Sequence, residues 1–296
     1  MTTPQSGNSG PASLVGKVCV VTGANSGIGK ATAEGLARLG ASVVMVCRDR
    51  GRGESAKREI EANSRDLSVE LALCDLASLE SVTTFAKEFV RTHSSLHVLV
   101  NNAGLVRLKR SVTADGFEMT FQVNYLSHFL LTNLLLDLLK ESAPSRIVNV
   151  SSASHFGRSI DLDDLQLSRG YGVMKAYSRS KLAQVLFTYE LARRLAGTRV
   201  TVNCLHPGAI ATALFGRPMG PASPLANVSR LFLPGPEQGA RTSIYLASSP
   251  EVEGVTGKYF DRMREKRSSA ASYDEGLARR LWIASESMTG LLLRTG

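Results

Sequence analysis

Between residue 17 and about residue 260, short apolar runs alternate with longer runs of helical periodicity, and this alternation most limits how the chain can fold. The apolar runs predict strands at Lys17–Thr22, Ser42–Cys47, Ser68–Leu73, His97–Asn101, Arg146–Ser151, Arg199–Leu205 and Lys258–Phe260. The intervening runs predict helices at Ile28–Leu39, Glu54–Asn63, Leu79–Thr92, Phe117–Lys140, Tyr177–Leu195 and Glu237–Ala247. Several strands are apolar throughout, as expected where both faces of a parallel sheet are covered. The pattern predicts an α/β fold with a doubly wound parallel sheet.

The chain shows no internal repeat and no linker, so we predict one domain over residues 14–261. The stretch Met1–Ser13 consists mostly of Thr, Ser, Gly and Pro and lacks the apolar block of a secretory signal, which predicts a disordered tail. Residues 262–296 are predicted to form a C-terminal extension. It begins as a basic Ser/Ala-rich stretch and continues as a short helix near Glu275–Ser287, which Leu281 and Trp282 would dock on the body.

Composition excludes some classes of protein. No apolar run reaches about 18 residues, so no membrane-spanning helix is expected. The four cysteines all fall in strand-like apolar runs without C-x-x-C spacing, which predicts buried free thiols in a reducing cytoplasm. The five histidines have no metal-ligand spacing. The net charge of +9 favours an anionic partner, but no basic, aromatic-interleaved stripe indicates a nucleic-acid binder.

The first crossover carries a glycine-rich turn, Thr22–Gly29, between an apolar strand and a helix. Its glycines let the backbone turn tightly and approach a diphosphate, while the helix N-terminus supplies amide donors and a positive dipole end. The spacing is G-x-x-x-G-x-G rather than the general G-x-G-x-x-G. Its placement predicts a dinucleotide site.

The end of the second strand bears on which dinucleotide is bound. An acidic residue at that strand end would hold the ribose hydroxyls of NAD. Cys47 occupies the last strand position and Arg48 follows, and a guanidinium suits a 2′-phosphate. We therefore predict NADP, while Asp49 leaves NAD open.

Polar residues also end other strands on the ligand side of the predicted sheet. Asp75 ends the third strand and would accept a hydrogen bond from an adenine amino group, or serve as a helix N-cap. The fourth strand ends in Asn101–Gly104, a turn with two amides and a glycine. Ser151 and Ser152 end the fifth strand.

Tyr177 and Lys181 are four residues apart in a run of helical period, so their side chains share one face. A nearby ammonium favours the phenolate and lowers the phenol pKa, and a lowering to roughly 7 takes about 4 kcal/mol. A second cation, such as an oxidised nicotinamide, would share that load. Tyr171 and Lys175 have the same spacing, but glycines on both sides of Tyr171 disfavour a helix there.

In this order and spacing, the motifs resemble the short-chain dehydrogenase/reductase family over roughly residues 15–260. The shared motifs are T-G-x-x-x-G-I-G at 22–29, N-N-A-G at 101–104, Ser152, Y-x-x-x-K at 177–181 and Pro207-Gly208. Four further stretches resemble the retinol-dehydrogenase-like branch of that family, namely Val123–Thr132, Ser180–Ala183, Thr256–Phe260 and Arg280–Trp282. The resemblance implies a Rossmann fold and hydride transfer between a nicotinamide cofactor and an alcohol or carbonyl carbon.

The resemblance also implies roles for individual residues. In reduction, Tyr177 would donate a proton to the developing alkoxide while Ser152, rather than its neighbour Ser151, bonds the same oxygen. Lys181 would lower the tyrosine pKa and hold the nicotinamide ribose, and Asn124 would hold a water that links Lys181 to solvent. The motifs and the resemblance together give the candidate cofactor-binding set Gly23, Asn25, Ser26, Gly27, Ile28, Gly29, Arg48, Asp75, Leu76, Asn102, Ala103, Gly104, Tyr177, Lys181, Pro207, Gly208, Ile210 and Thr212.

Residues 213–236 are apolar with several Gly and Pro, too irregular for one helix, and predict a mobile lid over a substrate pocket. That lid favours a small lipophilic alcohol, aldehyde or ketone, with a retinoid or a steroid among the candidates by resemblance. Relatives often pair through helices of the sheet's faces, so by resemblance a homodimer and a homotetramer are both candidates, and the sequence does not choose between them. The alternative function is a catalytically silent sensor of the NADP redox state, which the intact Ser, Tyr and Lys set disfavours.

Overall fold

The structure, a computed structural model, describes residues 13–63, 68–208 and 235–291. An eight-stranded sheet forms its centre, in the spatial order β3-β2-β1-β4-β5-β6-β7-β8. The strands are β1 Val18–Thr22, β2 Ser42–Cys47, β3 Val69–Leu73, β4 Val98–Asn101, β5 Ser145–Val150, β6 Val200–His206, β7 Tyr259–Asp261 and β8 Arg264–Lys266. All neighbours pair in parallel except β7 and β8, so the predicted doubly wound parallel sheet is confirmed.

Helices cover both faces of this sheet. In chain order they are α1 Gly27–Arg38, α2 Arg50–Asn63, α3 Leu79–Thr92, α4 Met119–Phe121, α5 Ser127–Leu134, α6 Leu136–Glu141, α7 Val173–Arg194, α8 Pro236–Ser248 and α9 Glu275–Thr289. A π-helical segment, Gln122–Leu126, joins α4 to α5. Within the described ranges, no helix is both long and apolar enough to cross a bilayer.

Side chains alternate between two hydrophobic cores, one on each face of the sheet. In β1, Val20 packs with α3, α5, α7 and α9, whereas Cys19 and Val21 pack with α1, α2 and α8. Because both faces are buried, the strands are apolar at successive positions, which is the pattern seen in the sequence. All four cysteines are free and buried, as predicted, and burial raises the pKa of each thiol.

The structure differs from the sequence prediction at two elements. The predicted helix Phe117–Lys140 begins instead at Met119, because the Glu118 carboxylate accepts hydrogen bonds from the N–H groups of Thr120 and Phe121. The π segment then follows α4, and the helical run is interrupted again at Leu135, directly after α5. Strand β8 was missed, and it carries the sheet past the predicted domain boundary at residue 261. Its three residues are charged and exposed, as suits an edge strand, so no apolar run marked it.

Candidate active site

The strand order reverses between β1 and β4, and the glycine-rich turn lies at their carboxyl ends. Gly23 and Gly27 have φ of +68° and +55°, a backbone region that other residues rarely adopt. A Cβ on Gly29 would overlap the Gly23 carbonyl oxygen and the Asn102 amide, so glycine is required there by the packing of the turn itself. The turn therefore holds the first residues of α1 against the end of β4.

The N-terminus of α1 is suited to an anion. Ser26 is its N-cap residue, yet the Ser26 side chain makes no capping hydrogen bond. Uncapped amides at a helix N-terminus bind phosphate groups readily. Asn25 and Ile28 are half-buried beside it and Ser26 is exposed. The predicted dinucleotide turn therefore has the geometry that a diphosphate needs.

Thr22 joins the carboxyl ends of β1 and β4. Its hydroxyl accepts hydrogen bonds from the backbone N–H groups of Asn102 and Ala103 at 2.9 and 3.0 Å. The Asn102 side chain donates to the Thr22 carbonyl at 2.8 Å. Asn101 is instead structural, because its amide donates to Thr132 and Asn149 in the core. The structure thus places Asn102 and Ala103, but not Asn101, at the predicted site.

The two residues that follow β2 bear on whether the cofactor is NADP or NAD. The Asp49 carboxylate accepts a 2.8 Å hydrogen bond from the Arg52 N–H and so caps α2. Arg48 is exposed, and no ion pair among the described residues involves it. The acidic residue at this strand end is therefore already used by the protein, while the guanidinium beside it is open to a ligand.

Asp75 and Leu76 follow β3. The Asp75 carboxylate accepts a 3.0 Å hydrogen bond from the Ala77 N–H, which makes a local turn. The N-cap of α3 is Ser78, whose hydroxyl accepts from the Ser81 N–H, so the alternative interpretation of Asp75 as that cap is wrong. Asp75 remains at the ligand side of the sheet.

Ser151 and Ser152 have different environments. The buried Ser151 hydroxyl donates to the Lys181 carbonyl at 2.9 Å and ties β5 to α7. Ser152 caps a short 3-10 turn by accepting from the Ser154 N–H, and its side chain also hydrogen-bonds the Tyr177 phenol. The structure thus brings Ser152 and Tyr177 together and gives Ser151 a packing role.

Tyr177 and Lys181 lie one turn apart in α7, with the Lys181 ammonium 5.6 Å from the centre of the Tyr177 ring. The Lys181 ammonium donates to the Val150 carbonyl at 2.8 Å and to Gln184 at 2.9 Å. Burial lowers the pKa of Lys181 to about 7. Two of its three N–H donors are used within the described residues, which leaves one for a ligand hydroxyl.

The expected lowering of the Tyr177 pKa by Lys181 is not produced by the described residues. Burial raises the pKa of Tyr177, and the hydrogen bond with Ser152 only partly offsets that rise. The reason is that desolvation disfavours the phenolate more than one hydrogen bond favours it.

Asn124 lies in the π segment with its side chain fully engaged. Its amide oxygen accepts from the Leu105 N–H at 2.8 Å, and its amide nitrogen donates to the Leu105 carbonyl and to Ser180, both at 3.0 Å. Asn124 therefore anchors the chain that follows Gly104. The Asn124 backbone carbonyl is also connected to Lys181 through the Gln184 amide, while the predicted water between Lys181 and solvent stays a prediction.

The structure also separates the second tyrosine–lysine pair from the site. Tyr171 precedes α7, and its hydroxyl donates to the Arg107 carbonyl at 2.7 Å, while Lys175 is exposed. Pro207 and Gly208 follow β6, with Gly208 at φ +92°. Ile210, Thr212 and residues 213–234 of the predicted lid lie outside the described residues, as do residues 1–12 of the predicted tail.

Sequence reasoning assigned no supporting role to four buried polar residues beside the site, Thr22, His128, His155 and Gln184. Each has little or no exposed surface. His128 and Gln184 interrupt apolar helical runs, and that interruption is the signal that could have found them.

Comparison with known proteins agrees with this geometry. A family model described as short chain dehydrogenase matches residues 17–218. The chain belongs to the short-chain dehydrogenase family. Human retinol dehydrogenase 14 is 51% identical over 298 residues, which cover 95% of this chain and 89% of that protein. Human retinol dehydrogenase 13 is 47% identical over 287 residues, covering 95% and 86%. Within the family, the chain therefore falls in the retinol-dehydrogenase-like branch.

Solved structures lead to the same fold. An uncharacterised protein from Mycobacterium paratuberculosis has a TM-score of 0.77 and 37% identity, over 95% of this chain and 96% of that one. A protein from Beutenbergia cavernae, described as an NAD(P)-dependent gluconate 5-dehydrogenase with bound NADP, has a TM-score of 0.68 and 32% identity, over 86% and 97%. The chain is thus an oxidoreductase of alcohols and carbonyl compounds that uses a nicotinamide cofactor.

Proposed function

We propose that this oxidoreductase interconverts a lipophilic alcohol and its aldehyde or ketone with NADP(H), using Tyr177 as the acid and base. The observation that carries the proposal is the grouping of Ser152, which follows β5, with Tyr177 and Lys181 of α7 at the ligand side of the sheet. The bound nicotinamide supplies or accepts the hydride at its C4 carbon.

The residues around the glycine-rich turn support NADP as the cofactor. The uncapped N-terminus of α1 would bind the diphosphate, and Arg48 would bind the 2′-phosphate with charge-assisted hydrogen bonds. Oδ1 of Asp49 caps α2, whereas no ion pair within the described residues engages Arg48, and this difference favours a 2′-phosphate over a 2′-hydroxyl. NADP bound to the Beutenbergia cavernae relative is consistent with this choice.

The proton chemistry follows from the environments of the side chains. Because burial raises the pKa of Tyr177, the phenol is protonated at neutral pH and ready to donate to an alkoxide. Ser152 would bind the same substrate oxygen, and the remaining N–H of Lys181 would hold the nicotinamide ribose. A protonated tyrosine is the form that must donate the proton when the carbonyl is reduced.

Exposed apolar side chains support a lipophilic substrate. Leu108, Phe156 and Met174 are 70%, 46% and 44% exposed. They lie on the segments that follow Gly104, follow the Ser152 turn and open α7. The names of the relatives, retinol dehydrogenases 13 and 14, make retinoids the first substrates to test.

The test is a panel of lipophilic aldehydes and ketones, retinal and steroids included, assayed by NADPH and NADH absorbance. We expect turnover with NADPH and at least a tenfold preference over NADH, about 1.4 kcal/mol in differential binding. Turnover of no compound, with NADPH still bound, would contradict the proposal and favour a redox sensor. A tenfold preference for NADH would overturn the choice of cofactor.

Substitutions of Tyr177 and Lys181 test the role of each residue in turnover and in cofactor binding. Tyr177→Phe should abolish turnover and leave NADPH affinity nearly unchanged, whereas Lys181→Ala should weaken both. Tyr171→Phe is the matched control, because Tyr171 has the same spacing to a lysine but precedes α7. Retained turnover in Tyr177→Phe would remove this tyrosine from the mechanism, and unchanged NADPH affinity in Lys181→Ala would contradict the ribose role.

A further inference from the structure

A continuous chain of buried polar groups connects Lys181 to the end of β1. The Lys181 ammonium donates to Gln184 Oε1 at 2.9 Å, and Gln184 Nε2 donates to the Asn124 backbone carbonyl at 2.8 Å. The same carbonyl lies 3.1 Å from His128 Nδ1, and His128 Nε2 lies 2.9 Å from the Thr22 hydroxyl. The side chains of Gln184, His128 and Thr22 are at most 2% exposed.

The donors and acceptors in this hydrogen-bonded series are fixed by the Lys181 ammonium and the Asn124 carbonyl. An ammonium only donates and a carbonyl only accepts, so the Gln184 amide can meet both partners in one orientation alone. For the same reason His128 carries its proton on Nδ1, and Nε2 accepts from the Thr22 hydroxyl. Thr22 in turn accepts from the Asn102 and Ala103 N–H groups. Reversal of any one amide or ring would set two donors or two acceptors against each other.

Backbone geometry brings the partners together. Lys181 and Gln184 are three residues apart and therefore share one face of α7. Asn124 lies in the π segment, where the Ser127 N–H bonds the Gln122 carbonyl five residues back. Such wide turns are rare and frequently occur at functional sites. The π segment thus faces the amide of Gln184 with a backbone carbonyl.

We propose that Gln184 is a positioning residue that holds the Lys181 ammonium in its place beside Tyr177 by anchoring it to the Asn124 carbonyl. This inference rests on the function proposed above, in which Lys181 binds the cofactor ribose beside Tyr177. It assigns to the Gln184 amide a direct connection between Lys181 and Asn124, which is separate from the water that the resemblance implies between Lys181 and solvent.

A neutral amide is suited to this task because it binds the ammonium without cancelling its charge. The groups around Lys181 are Tyr177 on its own helix and the neutral His128 from α5. No ion pair within the described ranges includes Lys181, and burial alone lowers its pKa. A carboxylate at position 184 would pair with the ammonium and weaken its field at the phenol. An aliphatic side chain would leave the Asn124 carbonyl and the ammonium each with one partner fewer.

The first test measures the titration of Lys181 without cofactor or turnover. In the full chain labelled with ¹³C and ¹⁵N lysine, the Lys181 signal is assigned by its loss in Lys181→Arg. We expect Gln184→Glu to raise the pKa of Lys181 from about 7 by about 1–3 units, as an adjacent opposite charge does. Gln184→Met, which keeps the length of the side chain but not its amide, should lower that pKa by about one unit.

The second test follows the pH profile of kcat/KM for alcohol oxidation. In Gln184→Glu the acidic limb of the profile should move to higher pH, because the added carboxylate disfavours the phenolate of Tyr177. The matched control is Gln122→Met. Gln122 is also buried and paired on both sides of its amide, to Asp115 at 2.6 Å and Thr113 at 2.5 Å, but it does not contact Lys181. The control should lose stability and keep both the titration and the profile of the wild type.

The two proposals fail in different ways. If the wild type turns over no substrate, the proposed function fails while the Lys181 titration still tests the role of Gln184. If Gln184→Glu titrates at Lys181 as Gln122→Met does, the positioning role is overturned whatever the activity. Should Gln184→Met not fold, Gln184→Asn replaces it, because its shorter amide cannot reach both partners and should shift the titration in the same direction. An unshifted titration in Gln184→Asn would also overturn the proposal.

Discussion

The backbone N–H of Ser269 donates a 3.1 Å hydrogen bond to Nε2 of His155. The other ring nitrogen, Nδ1, donates to the Ser152 carbonyl at 2.6 Å, since a carbonyl can only accept. Burial lowers the pKa of this imidazole, and the neighbouring His206 lowers it further. A neutral histidine therefore ties the segment after β8 to the turn that carries Ser152.

We expect His155→Phe to remove both of these bonds and to leave two backbone groups unpaired. An unpaired buried polar group costs about 1–3 kcal/mol, so urea unfolding should show a loss of about 2 kcal/mol or more. Turnover should fall more than NADPH affinity, because the change acts on Ser152. His93→Phe is the control, since His93 stacks on Phe89 away from this turn. Equal losses in the two variants would show that the link has no special role.

The lowered pKa of His128 predicts how the free energy of unfolding depends on pH. Burial lowers its pKa to about 4 in the folded protein, below the value of about 6.5 expected in the unfolded chain. Between these values the unfolded state binds more protons, so stability is lost as the pH falls from about 6.5 towards 4. The loss at pH 5 amounts to about 2 kcal/mol from this one group.

We therefore expect His128→Gln to flatten that dependence. The wild type should lose about 2 kcal/mol more than the variant between pH 7 and pH 5, measured by urea unfolding at each pH. His97 and His155 also have lowered pKa values, so the difference between the two proteins, rather than the absolute loss, isolates His128. Parallel losses in the two proteins would contradict the prediction.

The sequence predicted the sheet well because a strand buried on both faces leaves a continuous apolar run. The prediction failed at the edge strand β8, because its residues are charged rather than apolar. It also failed at the start of α4, because the Glu118 side chain, and not the periodicity, sets that boundary. No local pattern marks a π segment, because the extra residue per turn depends on contacts with distant parts of the chain, such as that of Asn124 with Leu105.

Motif reasoning found the residues at the ligand side of the sheet, but not the buried polar residues that hold them in place. The spacing of Tyr177 and Lys181 predicted one helical face, and the structure confirms it. The same spacing could not reveal that burial dominates both pKa values, since desolvation depends on everything packed around the pair. His128, His155 and Gln184 each bond a partner from 60 to 114 residues away, so local sequence patterns place none of them beside the site.

The contacts of Trp282 predict how much α9 contributes to the free energy of unfolding. Its ring packs 4.9 Å from Phe129 and 5.8 Å from Phe187, between centroids, and the Arg194 guanidinium lies 4.1 Å above it. We expect Trp282→Ala to cost about 3–5 kcal/mol, as truncation of a buried aromatic side chain does. Ile283→Ala on the same helix should cost less than about 0.5 kcal/mol, because Ile283 is 62% exposed. A similar cost for both variants, in denaturant unfolding, would show that α9 contributes little to stability.

Substitutions of Arg48 and Asp49 should change the affinities for NADPH and NADH in different ways. Loss of the charge-assisted bonds in Arg48→Ala should weaken NADPH binding by about 10- to 100-fold, corresponding to about 1.5–3 kcal/mol, and leave NADH binding nearly unchanged. Arg58→Ala removes an exposed charge from α2, farther from β2 than Arg48, and should change neither affinity. Asp49→Ala should lower stability by about 1 kcal/mol through the lost cap of α2, with no loss of NADH affinity. Titration of each variant with both cofactors decides between the two residues. Weaker NADH binding in Asp49→Ala would show that this carboxylate leaves its cap to hold a ribose, and that the chain is built for NAD.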